Sequence, residues 1–238
     1  AEKYSQSVLQ EPDWKNLRIG VPKEYWVDGI ADDVATRVRE SLKFFEKKGA
    51  KLVDVSLPHT QYAVSVYYIV AVSEASSNLS RLDGVRFGVR PDSVNDAKDL
   101  ADFYKKVRAQ FGPEVKRRII LGTFALSSGY YDAYFTKACQ VRRLISNDFN
   151  AAFKQCDFIA APVSPTTAFK QKDQTMDPLK MYLNDILTIP ANLSGLPGIS
   201  VPCGTGNNDL PIGLQLLGPA FSDGGLLSLA HAFEKGRV

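Results

Sequence analysis

LRIGVPKEYWVDGIADDVATRVRESLKFFEKKGAKLVDVSLP, residues 17–58, decides the fold class. Residues 17–21, LRIGV, form a short apolar run rich in strand formers. Residues 32–48 then carry Val34, Val38, Leu42 and Phe45 at helical spacing. Asp32 fits the N-cap position, and Gly49 after Lys47 and Lys48 fits the stop. AKLVDVSLP, residues 50–58, alternates as a strand does, through Leu52, Val53, Val55 and Leu57. Strand, helix and strand within about forty residues read as a βαβ unit, hence a parallel strand pair.

Outward from this unit the pattern stays mixed. Residues 60–82 and 97–109 read as helices. Pro113 suits the first turn of another, because its missing N–H is unneeded there. That helix is expected to reach about Ser128, with Gly129 as its cap. A longer helix follows through Tyr134, Ala138, Val141, Ile145, Phe149 and Phe153. DFIAAPV, residues 157–163, reads as a buried strand, and Pro178 is expected to open a short helix through MYLNDIL. ISVPCG and PIGLQLLG, joined by the polar TGNND, read as an antiparallel hairpin. A last helix starts after Asp223. The expectation is a single α/β domain over residues 1–238, with a mixed β-sheet flanked by helices.

Composition narrows the function. The 238 residues are 45% hydrophobic and 23% charged, with a formal net charge of +3. The Lys and Arg residues are dispersed, without the dense stripe of a dedicated nucleic-acid domain. Cys139, Cys156 and Cys203 are odd in number and far apart, and His59 and His231 stand in no ligand spacing. Neither a disulfide framework nor a metal site is expected. No apolar run approaches the length of a membrane span. The first residues lack the layout of a signal peptide. The chain starts without Met and stops straight after an apolar helical pattern, which reads as a piece of a longer protein.

Several side chains are candidates for chemistry. NLSGLPGISVPCG, residues 192–204, offers Ser194, Ser200 and Cys203 as nucleophiles among glycines and prolines. Cys203 lies on a strand pattern with no charged neighbour before Asp209. An inert buried thiol is the expectation, since a reactive one needs a base or a positive field. His59 after Pro58 and His231 in the last helix read as surface or packed residues rather than triad members. The aromatics of LGTFALSSGYYDAYF, residues 121–135, read as core or pocket wall. Arg117, Arg118 and Asp185 stand between apolar residues and are expected to need partners if buried.

VKRRIILGTFALSSGYYDAYF at 115–135, VSEASSNLSRLDGVRFG at 72–88, APVSPTTAF at 161–169 and NLSGLPGISVPCG followed by PIGLQLLG resemble one family. It is the A-subunit family of the glutamyl-tRNA(Gln)/aspartyl-tRNA(Asn) amidotransferases, a branch of the amidase-signature hydrolases. The resemblance covers the chain from LRIGVPKEY to the last helix and corresponds to the C-terminal half of an amidase-signature fold. It implies a glutaminase subunit that supplies ammonia for converting Glu-tRNA(Gln) to Gln-tRNA(Gln).

The family's catalytic serine, second serine in a cis peptide and lysine lie in a Gly/Ser-rich signature of its N-terminal half. The resemblance therefore implies no catalytic residue in this chain, and an inactive fragment if it stands alone. Glutamine's two charged ends require a cation and an anion, and a planar guanidinium can hold a carboxylate by two bonds. By resemblance these are Arg118, with Arg117 the alternative, and Asp185; Tyr67 of the preceding YY pair contributes. No metal or cofactor is implied for this subunit, while ATP and Mg are expected in the partner B subunit. The implied partners are glutamine, the B and C subunits, and Glu-tRNA(Gln) through the complex. The implied location is cytoplasmic, away from membranes. A hydrolase for an uncharged amide and a non-catalytic docking module are the rival readings. Strand edges and apolar faces left open in such a half-domain would favour self-association.

Overall fold

The computed structural model describes residues 3–26, 29–170 and 184–236. In chain order the elements are α1 (Tyr4–Ser7), β1 (Arg18–Pro22), α2 (Asp32–Lys48), β2 (Lys51–Val55), α3 (Ala63–Leu79), α4 (Leu100–Ala109), α5 (Pro113–Ala125), α6 (Lys137–Ala152), β3 (Phe158–Pro162), α7 (Ile189–Ser194), β4 (Gly198–Thr205), β5 (Pro211–Leu217) and α8 (Asp223–Gly236). Short 3-10 turns lie between several of them, including Pro58–Tyr62 ahead of α3.

The expected βαβ unit is present. β1 and β2 pair in parallel from Arg18↔Lys51 to Pro22↔Val55. β3 joins β1 in parallel, while β5 pairs antiparallel with both β3 and β4. The result is a mixed five-stranded sheet in the order β2-β1-β3-β5-β4. Asp157 fastens β3 to β1, taking the Arg18 backbone N–H at 2.8 Å and its guanidinium at 2.7 Å.

One face of this sheet is buried by two amphipathic helices. α2 contributes Val34, Val38, Leu42 and Phe45, and α8 contributes Leu226, Leu229, Ala230 and Phe233. They share a cluster with Ile19, Ala160, Val201, Leu214 and Leu216 of the strands. The Phe45 and Phe233 rings lie 5.3 Å apart. Burying each such side chain is worth about 1.5–3 kcal/mol. Strand alternation sends Ile159, Ala161 and Gln215 to the opposite face. There Gln215 donates its amide N–H to the Leu187 carbonyl at 3.0 Å, which satisfies a polar side chain in a buried place.

Two compact units divide the chain: residues 1–64 with 142–238, which hold the whole sheet, and residues 65–141, which are helical. The chain leaves the first within α3 and returns within α6. The single sheet expected from the sequence thus accounts for the first unit. In the second, Asp99 caps α4 by accepting the Asp102 N–H at 2.7 Å. Arg108 donates to the Leu79 and Ser80 carbonyls, both at 3.1 Å, closing the end of α3.

Three local expectations change. Ala31, not Asp32, is the N-cap of α2; Asp32 and Asp33 fill its first turn, where negative charge suits the helix dipole. α5 stops at Ala125 rather than near Ser128. The Ser127 hydroxyl donates to the Phe124 carbonyl at 2.7 Å, a local bond that competes with helix continuation. A π-helical turn over Asp132–Thr136 then precedes α6. Most of the helix expected from Pro178 falls on residues 171–183, outside the described residues. Gly49, in contrast, stops α2 as expected, at φ +109°.

Phe45→Ala should destabilise the protein by about 3–5 kcal/mol, because the ring is fully buried between two elements. Denaturant titration checks this, and a loss below about 1 kcal/mol would show that α2 is not a core helix.

Candidate functional site

The helical unit brings Arg118 and Tyr67 together from two different helices. Arg118, on α5, donates through Nη1 to the Tyr67 hydroxyl of α3 at 3.2 Å. The backbone explains how the helices come so close. A methyl group at Gly122, one turn beyond Arg118, would run into the Val72 carbonyl of α3. Just beyond, the Ser76 and Thr123 hydroxyls share a hydrogen bond of 3.0 Å. α3 and α5 therefore meet through small residues and hydroxyls at Gly122, and through Tyr67 and Arg118 nearer their starts.

Glu114 completes this cluster. Arg118 donates through Nε to Glu114 Oε1 at 2.8 Å. Arg117 donates through Nε and Nη2 to the two oxygens of the same carboxylate, each at 2.9 Å. The two arginines hold the Glu114 carboxyl below its usual range, Arg117 first and Arg118 second. Tyr67, then Glu114, raises the Arg118 guanidinium. Because the Glu114 value is depressed, its ionised form and the bonds it makes persist above the ordinary value of 4.5 and are lost only as pH falls through the depressed one.

Both arginines have the partners expected of them, without being buried in the core. Arg117 has 48% of its side-chain surface exposed and Arg118 31%. α5 instead leaves Ile120, Leu121 and Phe124 open, Ile120 at 69%. Phe124 continues into an exposed aromatic cluster, with its ring 4.3 Å from Tyr130 and 6.2 Å from Tyr134. A helix carrying apolar and basic residues around its circumference cannot bury all of them, and its periodicity alone did not say which face stays open.

Asp185 belongs to the sheet-bearing unit and is exposed. Its carbonyl accepts the Thr188 and Ile189 N–H groups, each at 3.0 Å, which starts the turn into α7. Asn184, just before it, lines a cavity of about 280 Å³ with Ser164, Thr166, Thr167 and Ser200. This hydroxyl-rich lining offers neutral donors and acceptors but no fixed positive charge.

The candidate nucleophiles take other roles. Ser194 is the last residue of α7, a helix that the sequence reading passed over. Its signal was available in Pro190 near the start and Gly195 just past the end. Gly195 sits at φ +68° with open space around it, so the left-handed cap, not a close approach, calls for glycine. Ser200 is exposed on the edge strand β4. Cys203 is half-buried against the sheet core rather than wholly buried. Cys156 is the buried thiol, and burial pushes it up to about 11, away from thiolate chemistry.

His59 carries a structural pairing. Its Nδ1 lies 2.9 Å from Asp148 Oδ1, and its backbone N–H donates to Asp148 Oδ2 at 2.8 Å. This ties the turn after β2 to α6. Among the described residues no three His, Cys, Asp or Glu side chains gather as a metal site. No helix among them is long and apolar enough to cross a membrane.

The sequence model of the amidase family matches residues 1–227. The chain is 55% identical over 222 residues to a Myxococcus xanthus protein named as the A subunit of glutamyl-tRNA(Gln) amidotransferase, covering 93% of this chain and 45% of that protein. A Bacillus cytotoxicus protein of the same name is 56% identical over 224 residues, covering 94% and 46%. The chain thus spans about half the length of these curated relatives. The crystal structure of the Thermotoga maritima protein of that name superimposes with a TM-score of 0.70 at 43% identity, over 94% of this chain and 43% of that one. An amidase at 21% identity gives 0.72 over 97% of this chain and 47% of that one, which speaks for the fold.

Gly122→Ala should destabilise the protein by about 1–3 kcal/mol through overpacking against α3. This holds although alanine is the better helix former by about 1 kcal/mol. Denaturant unfolding checks it, and an unchanged or raised stability would contradict the close helix approach.

Proposed function

Because this chain belongs to the amidase family, we propose that it is the substrate-recognising, C-terminal part of a glutaminase subunit in a tRNA-dependent amidotransferase. The observation that carries the reading is Arg118, half-buried and held at two of its edges by Glu114 and Tyr67. Relatives at 55–56% identity that are named as the A subunit of such an enzyme support it.

In this reading Arg118 binds the α-carboxylate of glutamine. The Tyr67 oxygen accepts from Arg118, so its own hydrogen remains to be donated to the same carboxylate. With the α-carboxylate held, the side-chain amide is presented to the acylating serine. That serine, its serine partner in a cis peptide and the lysine belong to the family's N-terminal half. Hydrolysis of the acyl-enzyme releases glutamate. The ammonia passes to a B subunit that uses ATP and Mg to convert Glu-tRNA(Gln) to Gln-tRNA(Gln), in a cytoplasmic complex that includes a C subunit.

Arg118 suits this role better than Arg117. The Arg117 guanidinium is engaged along its Nε and Nη2 edge with Glu114 and is more exposed. The Arg118 guanidinium makes a second contact on another helix, which fixes its plane, and a fixed planar fork selects a carboxylate.

Arg118→Ala in the whole enzyme, assembled with its partners, should raise the KM for glutamine about 10–100-fold with kcat little changed. That is the consequence of removing charge-assisted bonds worth about 1.5–3 kcal/mol. Steady-state glutaminase kinetics check it. An unchanged KM would remove Arg118 from the substrate pocket and favour a hydrolase for uncharged amides.

A further inference from the structure

We infer that Glu114 is a positioning residue for the substrate site: it fixes which edge of the Arg118 guanidinium meets the substrate carboxylate. This inference rests on the proposed function.

A guanidinium has three donor edges, and a carboxylate can approach two-pronged at Nε/Nη2 or at Nη1/Nη2. Glu114 occupies Nε of Arg118 at 2.8 Å. Tyr67 takes one Nη1 hydrogen at 3.2 Å, which leaves the other. No hydrogen bond reaches Nη2 among the described residues. With Nε taken, the Nε/Nη2 edge is closed, and the donors left are the Nη2 hydrogens and the second Nη1 hydrogen, beside the Tyr67 hydroxyl. Glu114 thus turns a flexible side chain with two usable edges into a fork with one.

The same carboxylate bridges both arginines, so one acidic group holds Arg118 against its neighbour on α5. The bland alternative is a pair of surface bridges at i,i+3 and i,i+4, which add only modestly to helix stability. Such bridges would leave substrate binding untouched, and that difference is measurable.

The experiment compares the whole enzyme, assembled with its partners, as wild type, Glu114→Ala, Glu114→Gln, Arg118→Ala and the Glu114→Ala/Arg118→Ala double variant. Glu114→Ala should raise the KM for glutamine about 3–10-fold with kcat within about twofold of wild type. Glu114→Gln, whose amide oxygen still accepts from Arg118 Nε, should recover part of the loss. In the Arg118→Ala background, removal of Glu114 should add nothing, the signature of action through the arginine. An unchanged or lowered KM in Glu114→Ala, beside a raised KM in Arg118→Ala, would overturn the inference and leave the proposed function standing. A loss in kcat alone, or an additive effect in the double variant, would also overturn it. An unchanged KM in Arg118→Ala would sink the proposed function and the inference with it.

Discussion

The meeting of two helices at a residue with no side chain underlies the candidate site. A methyl group at Gly122 has no room against the Val72 carbonyl. The backbones of α3 and α5 can therefore approach as closely as atoms allow, with the Ser76–Thr123 bond beside the contact. Tyr67 and Arg118 stand on these same helices. A guanidinium reaching 3.2 Å to a phenol on another helix depends on that spacing. Larger residues at the contact would push the helices apart, and Arg118 would lose its partner on α3.

The remainder of the chain gives Asp185 a rigid base. A five-stranded sheet, covered on one face by α2 and α8, holds the turn from Asp185 into α7 through the Gln215–Leu187 bond. The two charged candidates thus rest on different kinds of support. Arg118 depends on a helix pair and a shared carboxylate. Asp185 depends on a sheet-borne turn, with its side chain in solvent. NLSGLPGISVPCG, rich in apparent nucleophiles, is the end of a helix, its left-handed cap and the start of an edge strand. Its serines and cysteine belong to packing and to a hydroxyl-lined cavity.

Much of the fold was legible from the sequence because the hydrophobic period is strong where burial is one-sided. Val34, Val38, Leu42 and Phe45 reveal α2, and the short polar link TGNND reveals the β4–β5 hairpin. Helix ends were less legible, because they turn on single side-chain bonds such as Ser127 to Phe124. α7, six residues long, is too short to show a period. In the site, the residue types and their resemblance to a family pointed to Arg118, Tyr67 and Asp185. Their exposure was not legible, since α5 is apolar on more than one side. Glu114 was missed, although its spacing of three and four residues from Arg117 and Arg118 is the signal for helix-surface ion pairs.

The central claim is that Arg118 reads the α-carboxylate of the substrate. Its most direct test compares glutamine with 4-aminobutanamide, the same amide without that carboxylate, as substrates of the assembled enzyme. The claim predicts that wild type prefers glutamine strongly in kcat/KM, and that Arg118→Ala loses most of this preference by losing glutamine turnover alone. An equal preference in wild type and variant would show that the carboxylate is recognised elsewhere, or not at all, and would contradict the account.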